Sequence, residues 1–334
     1  INSDHAYFIG AEIDVNNLKI AVVDFDMNIK YKYSINIKNC MSNEVIILLI
    51  DNILKIIEQS EIPKEKIKGI GIAVPGLVNK DGIIELAPNL RWVKVDIKSK
   101  IEQKIGIQVI IENESKLSAV AEKYRGLAKN VNNFVAINIK SGIGAGIYIN
   151  NQLYLGQSGS AGELGHITVK EDGPLCGCGN YGCLETMAST PSIIKRVITC
   201  KKQGESSMLF ENKKNIEEIT LGDIITFCQK GDKLCNKILE SAAKYVGIGV
   251  SSIINLLNPK LIILGGDLIL YKDIVIRRVA EIVKTKSLSS NRDVCAIKMT
   301  ELGENNALLG AAIVSINKYL NLRESLDNIF SIYD

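Results

Sequence analysis

Features that would send a chain into a membrane or out of the cell are not legible in this sequence. It has no uninterrupted apolar run of about eighteen residues, the length that a membrane-crossing helix needs. Its most apolar early stretch, 45–57, is broken by Asp51, Asn52 and Lys55. No secretory leader is legible, and the eight cysteines show no regular disulfide spacing, so a reducing cytoplasm is expected. Strong charge of either sign is missing too. Lysine and arginine number 40 against 37 acids, a net charge of +3 spread along the chain, which supplies no basic face for nucleic acid. The pairs Arg277–Arg278 and Lys201–Lys202 read as solvated surface, and no stretch reads as a DNA-recognition helix. An initiator methionine is absent: residue 1 is isoleucine, so an upstream segment is expected to have been cut off or left out. Hydrophobic residues at 46% and charged residues at 23% fit a soluble globular protein. At 334 residues it is long enough for two domains.

Histidine is scarce, with two in the chain, and one of them stands where it matters. His166 lies ten residues before Cys176, which is followed by Cys178 and Cys183. Three thiolates and an imidazole form a closed tetrahedral set suited to zinc, so His166, Cys176, Cys178 and Cys183 are expected to hold a structural zinc. Gly177, Gly179 and Gly182 let so short a segment fold back on itself. The alternative is unrelated thiols or a redox pair, which normally has two residues between its cysteines.

Glu163-Leu-Gly-His166, followed by Cys176-Gly-Cys-Gly-Asn-Tyr-Gly-Cys-Leu-Glu185, resembles the signature of the ROK family (repressor, open reading frame, kinase) at every fixed position. The resemblance implies an α/β, ribonuclease H-like fold of the actin-type sugar kinases, duplicated into two domains with a cleft between them. The expected division is 1–125 plus 306–334 for a smaller α/β domain and 126–305 for a larger one carrying the zinc loop. It implies that a monosaccharide or sugar phosphate binds in the cleft against Gly76, Asn89, Asn113, Glu114, Glu163, His166 and Glu185. His166 would then use its other ring nitrogen on the metal. Paired hydroxyls suit carboxylates and imidazole, and ligation fixes the orientation of the ring.

Periodicity supplies the elements. Residues 7–15, 18–25 and 31–37 read as three strands, with Asn16-Asn17 as the first turn. A helix over 43–59 crosses to a strand at 69–74 that ends in Pro75-Gly76. A strand at 108–111 leads into a helix starting near Asn113. A second unit opens with a strand at 134–140, turns through the glycine-rich 141–146, and continues as a strand at 147–150. Helices are expected over 186–200, 219–230 and 241–257, with the polar 203–215 as a mobile excursion. A strand at 261–264 runs into Gly265-Gly266-Asp267, and a helix over 306–319 packs back on the first domain by resemblance.

Sugar kinases of this family open with Asp-x-Gly-Gly-Thr-Lys, whose glycines let backbone amides approach the phosphates of ATP. The corresponding stretch is Asp14-Val15-Asn16-Asn17-Leu18-Lys19, where both glycines and the hydroxyl are lost. Asn113 is followed by Glu114 where the kinases carry their catalytic aspartate, a departure similar to that of xylose-repressor-type members; a helix cap and a first-turn acid would look the same. Asp14, Lys19, Gly142, Gly144, Gly265 and Gly266 are therefore expected to be a vestigial nucleotide side. The expectation is the sugar-sensing effector domain of a transcriptional regulator, repressor-like, without catalytic residues. It would be dimeric and would meet operator DNA through a module absent from this chain. The alternative is a sugar kinase with a divergent phosphate loop, in which Glu114 would be the base.

Overall fold

The computed structural model describes residues 3–38, 40–213 and 215–320. The chain divides into two compact units: Ile1–Ala136, Ala145–Gly162 and Glu301–Asp334 make the first, Ile137–Gly144 and Glu163–Thr300 the second. Of the segment 306–334 expected in the smaller domain, 321–334 lies outside the described residues.

The first unit opens as a meander, β1 (Tyr7–Ile13), β2 (Asn17–Asp24) and β3 (Ile29–Asn36), then α1 (Ser42–Gln59) and β4 (Ile67–Val74). Three short strands follow, β5 (Leu77–Val78), β6 (Ile84–Ala87) and β7 (Trp92–Val95), then α2 (Lys98–Ile105), β8 (Val109–Asn113) and α3 (Glu114–Tyr124). β9 (Phe134–Ile139) and β10 (Ile143–Ile149) each contribute to both units, and β11 (Gln152–Leu153) closes the hairpin. The second unit continues through α4 (Leu184–Ala188), α5 (Thr190–Lys202), α6 (Met208–Asn212), α7 (Leu221–Gln229) and α8 (Lys233–Leu257). It ends with β12 (Leu261–Gly266), α9 (Lys272–Lys286), α10 (Ser289–Arg292) and β13 (Ala296–Met299), before α11 (Asn306–Tyr319) returns to the first.

Two five-stranded sheets carry the fold. The first runs β3-β2-β1-β4-β8 and the second β11-β10-β9-β12-β13. Counted from the first strand of each, both read 3-2-1-4-5, so the duplication is visible in the topology and the ribonuclease H-like expectation holds. β1 pairs antiparallel with β2 and parallel with β4, and β12 pairs parallel with β13.

Alternation explains how the first sheet takes helices on both faces. On one face Ile9, Ala11, Ile13, Ile70, Ile72 and Val74 meet the apolar stripe of α1, Val45, Ile46, Leu49, Ile53 and Ile56. On the other face the strands present Gly10, Gly69 and Gly71, and α11 lies on them. A Cβ at Gly71 would be driven into the Ala311 carbonyl, one at Gly10 into the Leu308 carbonyl. Gly310 makes the same approach to the Leu117 carbonyl of α3. Every residue of α11 from Asn306 to Asn317 is buried, and it packs on β1, β4 and α3.

Several sequence expectations shift. The first turn is Asp14–Asn16, because Asn17 already pairs in β2. The strand after the glycine-rich turn begins at Ile143, so Gly144 and Gly146 lie inside β10. The helix expected over 186–200 is two helices: Ser189 is extended, and α5 starts at Thr190 with Pro191 in its first turn. The helix expected from 241 starts at Lys233, capped by Asp232, and ends at Asn258 in the left-handed region just before Pro259. The supposed excursion 203–215 contains α6, and Ser207 within it is buried and donates to Asp232 at 2.6 Å; Lys214 lies outside the described residues. Strands β5–β7 and β13 and helices α2 and α9 had no legible signal. Among the described residues no helix is long and apolar enough to cross a membrane.

The α11 contact is testable by substitution. Gly71→Ala and Gly310→Ala each put a carbon where a carbonyl sits and should cost about 3 kcal/mol. Gly222→Ala, in the first turn of α7, meets nothing closer than the Thr220 hydroxyl at 3.7 Å. It should instead stabilise by about 0.5–1 kcal/mol. Urea midpoints of the three variants check both directions.

Candidate functional site

The stretch from His166 to Glu185 folds by backbone hydrogen bonds before any metal is considered. Thr168 bridges Cys183, and Leu175 bridges Tyr181, as short antiparallel contacts. Within that turn the Cys176 amide donates to the Asn180 carbonyl at 2.7 Å and the Gly179 amide to the Cys176 carbonyl at 3.0 Å. Gly182, at φ 65°, lies against the Lys170 carbonyl, where a side chain would collide. The Leu184 amide returns to Ile167 at 2.9 Å, so Cys183 sits at the start of α4 beside the His166 turn.

These bonds bring the four candidate ligands together: their donor atoms all lie within 4.8 Å of one another. Cys178 Sγ is 3.7 Å from Cys183 Sγ, and Cys176 Sγ is 3.7 Å from His166 Nδ1. A tetrahedral ion with metal–sulfur bonds of about 2.3 Å holds its sulfurs about 3.8 Å apart, so the donor set fits such an ion. Burial pushes the Cys183 thiol up to about 12 and raises Cys176, whereas the Asn180 backbone amide lowers Cys178. A metal entering here must displace protons, so its hold weakens as pH falls.

In the same unit, His166 presents its second nitrogen elsewhere: Nε2 is 3.8 Å from Glu163 Oε2. The ring thus has one nitrogen toward the sulfurs and one toward a half-exposed carboxylate. Glu185, in the first turn of α4, accepts the Ile143 amide on Oε2 at 3.1 Å.

The first unit gathers Gly76, Asn113 and Glu114. The Asn113 Oδ1 caps α3, accepting Ser115 N–H at 2.9 Å and Lys116 N–H at 3.4 Å, while its Nδ2 donates to the Gly76 carbonyl at 3.0 Å. Glu114 follows in the first turn, 6% exposed. Asn89 stands exposed in the turn Pro88–Leu90, between β6 and β7.

The expected nucleotide residues have partners within the protein. Asp14 Oδ1 accepts the Val15 amide at 2.7 Å within the hairpin turn. Lys19 Nζ donates to the carbonyl and carboxylate of Glu304, both at 3.3 Å, and lies 3.9 Å from Glu12. Leu18 is buried in the core. Gly142 accepts the Lys140 amide at 2.9 Å. Gly144 is a strand residue between Ile143 and Ala145, both buried, and its neighbour Gly146 makes room for Ala119 and the Ser115 carbonyl of α3. Gly265 ends the apolar run of β12; Gly266, at φ 72°, lies against the backbone of Ile139; Asp267 accepts from Thr190 Oγ1 at 2.5 Å. The sequence reading missed two charged residues. Glu12 is wholly buried, its one signal being an acid within an apolar strand. Lys116 is buried beside Glu112, its signal the i,i+4 spacing across a strand-to-helix junction.

Replacing the cap tests this junction. Asn113→Ala should cost about 1–2 kcal/mol through the lost cap. Asn113→Asp, which keeps the accepting oxygen and loses the donor to Gly76, should cost less. Urea denaturation of both measures the difference.

Residues 8–318 match the model of the ROK family. The xylose repressor of Caldicellulosiruptor bescii is 31% identical over 326 residues, covering 97% of this chain and 82% of that protein. A crystal structure of a ROK family transcriptional regulator, a homolog of the E. coli MLC protein, superposes with a TM-score of 0.84 at 27% identity. It covers 100% of this chain and 82% of its own. The ROK family glucokinase of Streptomyces griseus, solved with glucose and AMPPNP, gives 0.79 at 25% identity over 92% of this chain and 99% of its own. With a family match that runs from β1 to α11, this chain belongs to the ROK family.

Proposed function

We propose that the chain is the sugar-sensing part of a transcriptional regulator of carbohydrate metabolism, repressor-like in action and without kinase activity. The observation that carries the reading is the state of the stretch 14–19. Leu18 is buried in the core, Asp14 accepts within its own turn, and Lys19 pairs with Glu304, which supports reading the stretch as ill suited to cradle a triphosphate. Phosphoryl transfer rests on positioning and charge stabilisation, so a spoiled cradle removes the reaction. The likeness to xylose repressors points the same way. One observation favours the second reading, a sugar kinase: the likeness to the glucokinase extends to nearly all of that chain, and Glu114 is a buried carboxylate at the helix start.

On this reading a zinc ion is held by His166, Cys176, Cys178 and Cys183, and when bound it supplies structure rather than reactivity, because no ligand position is left for water. Glu163, His166 Nε2 and Glu185 take sugar hydroxyls, with Gly76, Asn89, Asn113 and Glu114 of the first unit as further contacts. The protein acts as a cytoplasmic homodimer, and operator DNA is met by a module outside these residues. Sugar changes operator affinity only through a difference in its affinity for two arrangements of the protein, and the coupling is reciprocal.

Metal analysis should find one zinc per chain. Structural zinc contributes on the order of 10–16 kcal/mol of apparent binding free energy in small peptides. Cys178→Ser should therefore lose the metal and, with it, sugar binding. Zinc-free wild-type protein, or a variant that keeps both properties, would sink the metal assignment.

Operator binding by the full-length regulator, titrated with monosaccharides and their phosphates, tests the function itself. One sugar should shift operator affinity, and Glu185→Ala should weaken that sugar about tenfold to a hundredfold. ATP consumption should stay far below about 1 per second, an ordinary rate for a kinase. Turnover near that rate, or tight sugar binding that never shifts operator affinity, overturns the regulator reading.

A further inference from the structure

A charged side chain outside the proposed contact set is buried at its edge. Lys116, in the first turn of α3, keeps only 7% of its side chain exposed. Lysine is seldom buried unless it is paired, and this one has two partners. Its Nζ donates to Glu112 Oε1 at 3.1 Å and to the Gly159 carbonyl at 2.5 Å. The same Glu112 oxygen accepts the Asn113 amide at 2.6 Å, so the carboxylate is fastened to the helix start that it precedes.

The Gly159 end explains what the pairing is for. Gly156, Gly159 and Gly162 all have positive φ, at 71°, 77° and 93°. A loop with three such glycines has wide conformational freedom, and ordering it costs more entropy than ordering other residues. It is held at its far end by the Ala145 amide, which donates to the Gly162 carbonyl at 2.8 Å, and across its neck by the Ala161 amide on the Leu155 carbonyl at 2.9 Å. Lys116 holds its middle. The next residue after Gly162 is Glu163.

We propose that Lys116 is a positioning residue: a buried ammonium strap that ties the Asn113–Glu114 helix start to loop 156–162 and so fixes where Glu163 leaves that loop. A lysine suits the task because one compact ammonium can serve a carboxylate and a carbonyl at once. The inference rests on Glu163 and Glu114 being sugar contacts, and the strap itself can be read separately.

The experiment compares Lys116→Met, which keeps the length and loses charge and donors, with Lys116→Arg in the full chain. Hydrogen–deuterium exchange over 156–162 is measured beside calorimetric affinity for whichever of D-xylose, D-glucose and N-acetyl-D-glucosamine the unaltered chain binds best. In Lys116→Met, exchange over 156–162 should quicken about tenfold while β1 and β2 stay protected. Sugar affinity should fall about tenfold to a hundredfold, with zinc per chain unchanged. Lys116→Arg should recover most of both losses, a rescue that filling space alone would not give. If Lys116→Met does not fold, Glu112→Gln, which removes the ion pair and leaves the Gly159 bond, should loosen the same loop to a smaller degree. Unchanged exchange over 156–162 overturns the strap, and a loosened loop with undiminished affinity overturns its positioning role. If the unaltered chain binds none of the three sugars, the sugar reading falls, while the exchange result still upholds or overturns the strap.

Discussion

The close approach of α11 to the first sheet is the constraint on which the rest depends. Helix backbone meets strand backbone at Gly10 and Gly71, and Gly310 lets the same helix reach α3. Contacts of this kind tolerate no added carbon, because carbonyl oxygens cannot retreat as flexible side chains can. Through them a segment beginning near residue 306 fixes the sheet and the helix that starts at Glu114. α3 in turn carries Asn113 at its cap and Lys116 in its first turn, so both residues inherit their position within the first unit from α11.

The second unit solves a different problem. Its candidate site residues lie on a segment with little regular structure, held by a few backbone hydrogen bonds that bring His166 and three cysteines together. His166 is the joint, with one nitrogen toward sulfur and the other toward Glu163. A ring gripped on one side is a better hydrogen-bonding partner on the other, because its orientation and tautomer are set. Under the proposed function, this is how one residue would serve both a metal cluster and a sugar contact.

In the region 14–19 the charged side chains meet partners within the protein: Asp14 accepts from its own turn, and Lys19 pairs with Glu304 and lies near Glu12. Two of the glycines in 142–146 and 265–266, Gly146 and Gly266, have a packing reason of their own. Gly146 admits α3, and Gly266 lies against Ile139. A glycine motif read alone cannot separate these causes.

What the sequence by itself determined was local. A histidine and three cysteines within eighteen positions, an asparagine before a helix, and strands with turn residues between them are all short-range patterns; the structure clusters the first four, caps α3 with the asparagine and pairs the strands. The ROK signature then carried the fold class, because it belongs to one architecture. What only the tertiary structure decided was everything that depends on a distant partner. Lys116 meets Gly159 across 43 residues and Lys19 meets Glu304 across 285, and neither pairing leaves a mark in composition or periodicity. The same holds for Glu12, which is wholly buried on the central strand β1, and for β5–β7, too short to show a period. Periodicity records which face of an element is buried; it cannot record what lies against that face, because the choice is made by chain segments folding back through space.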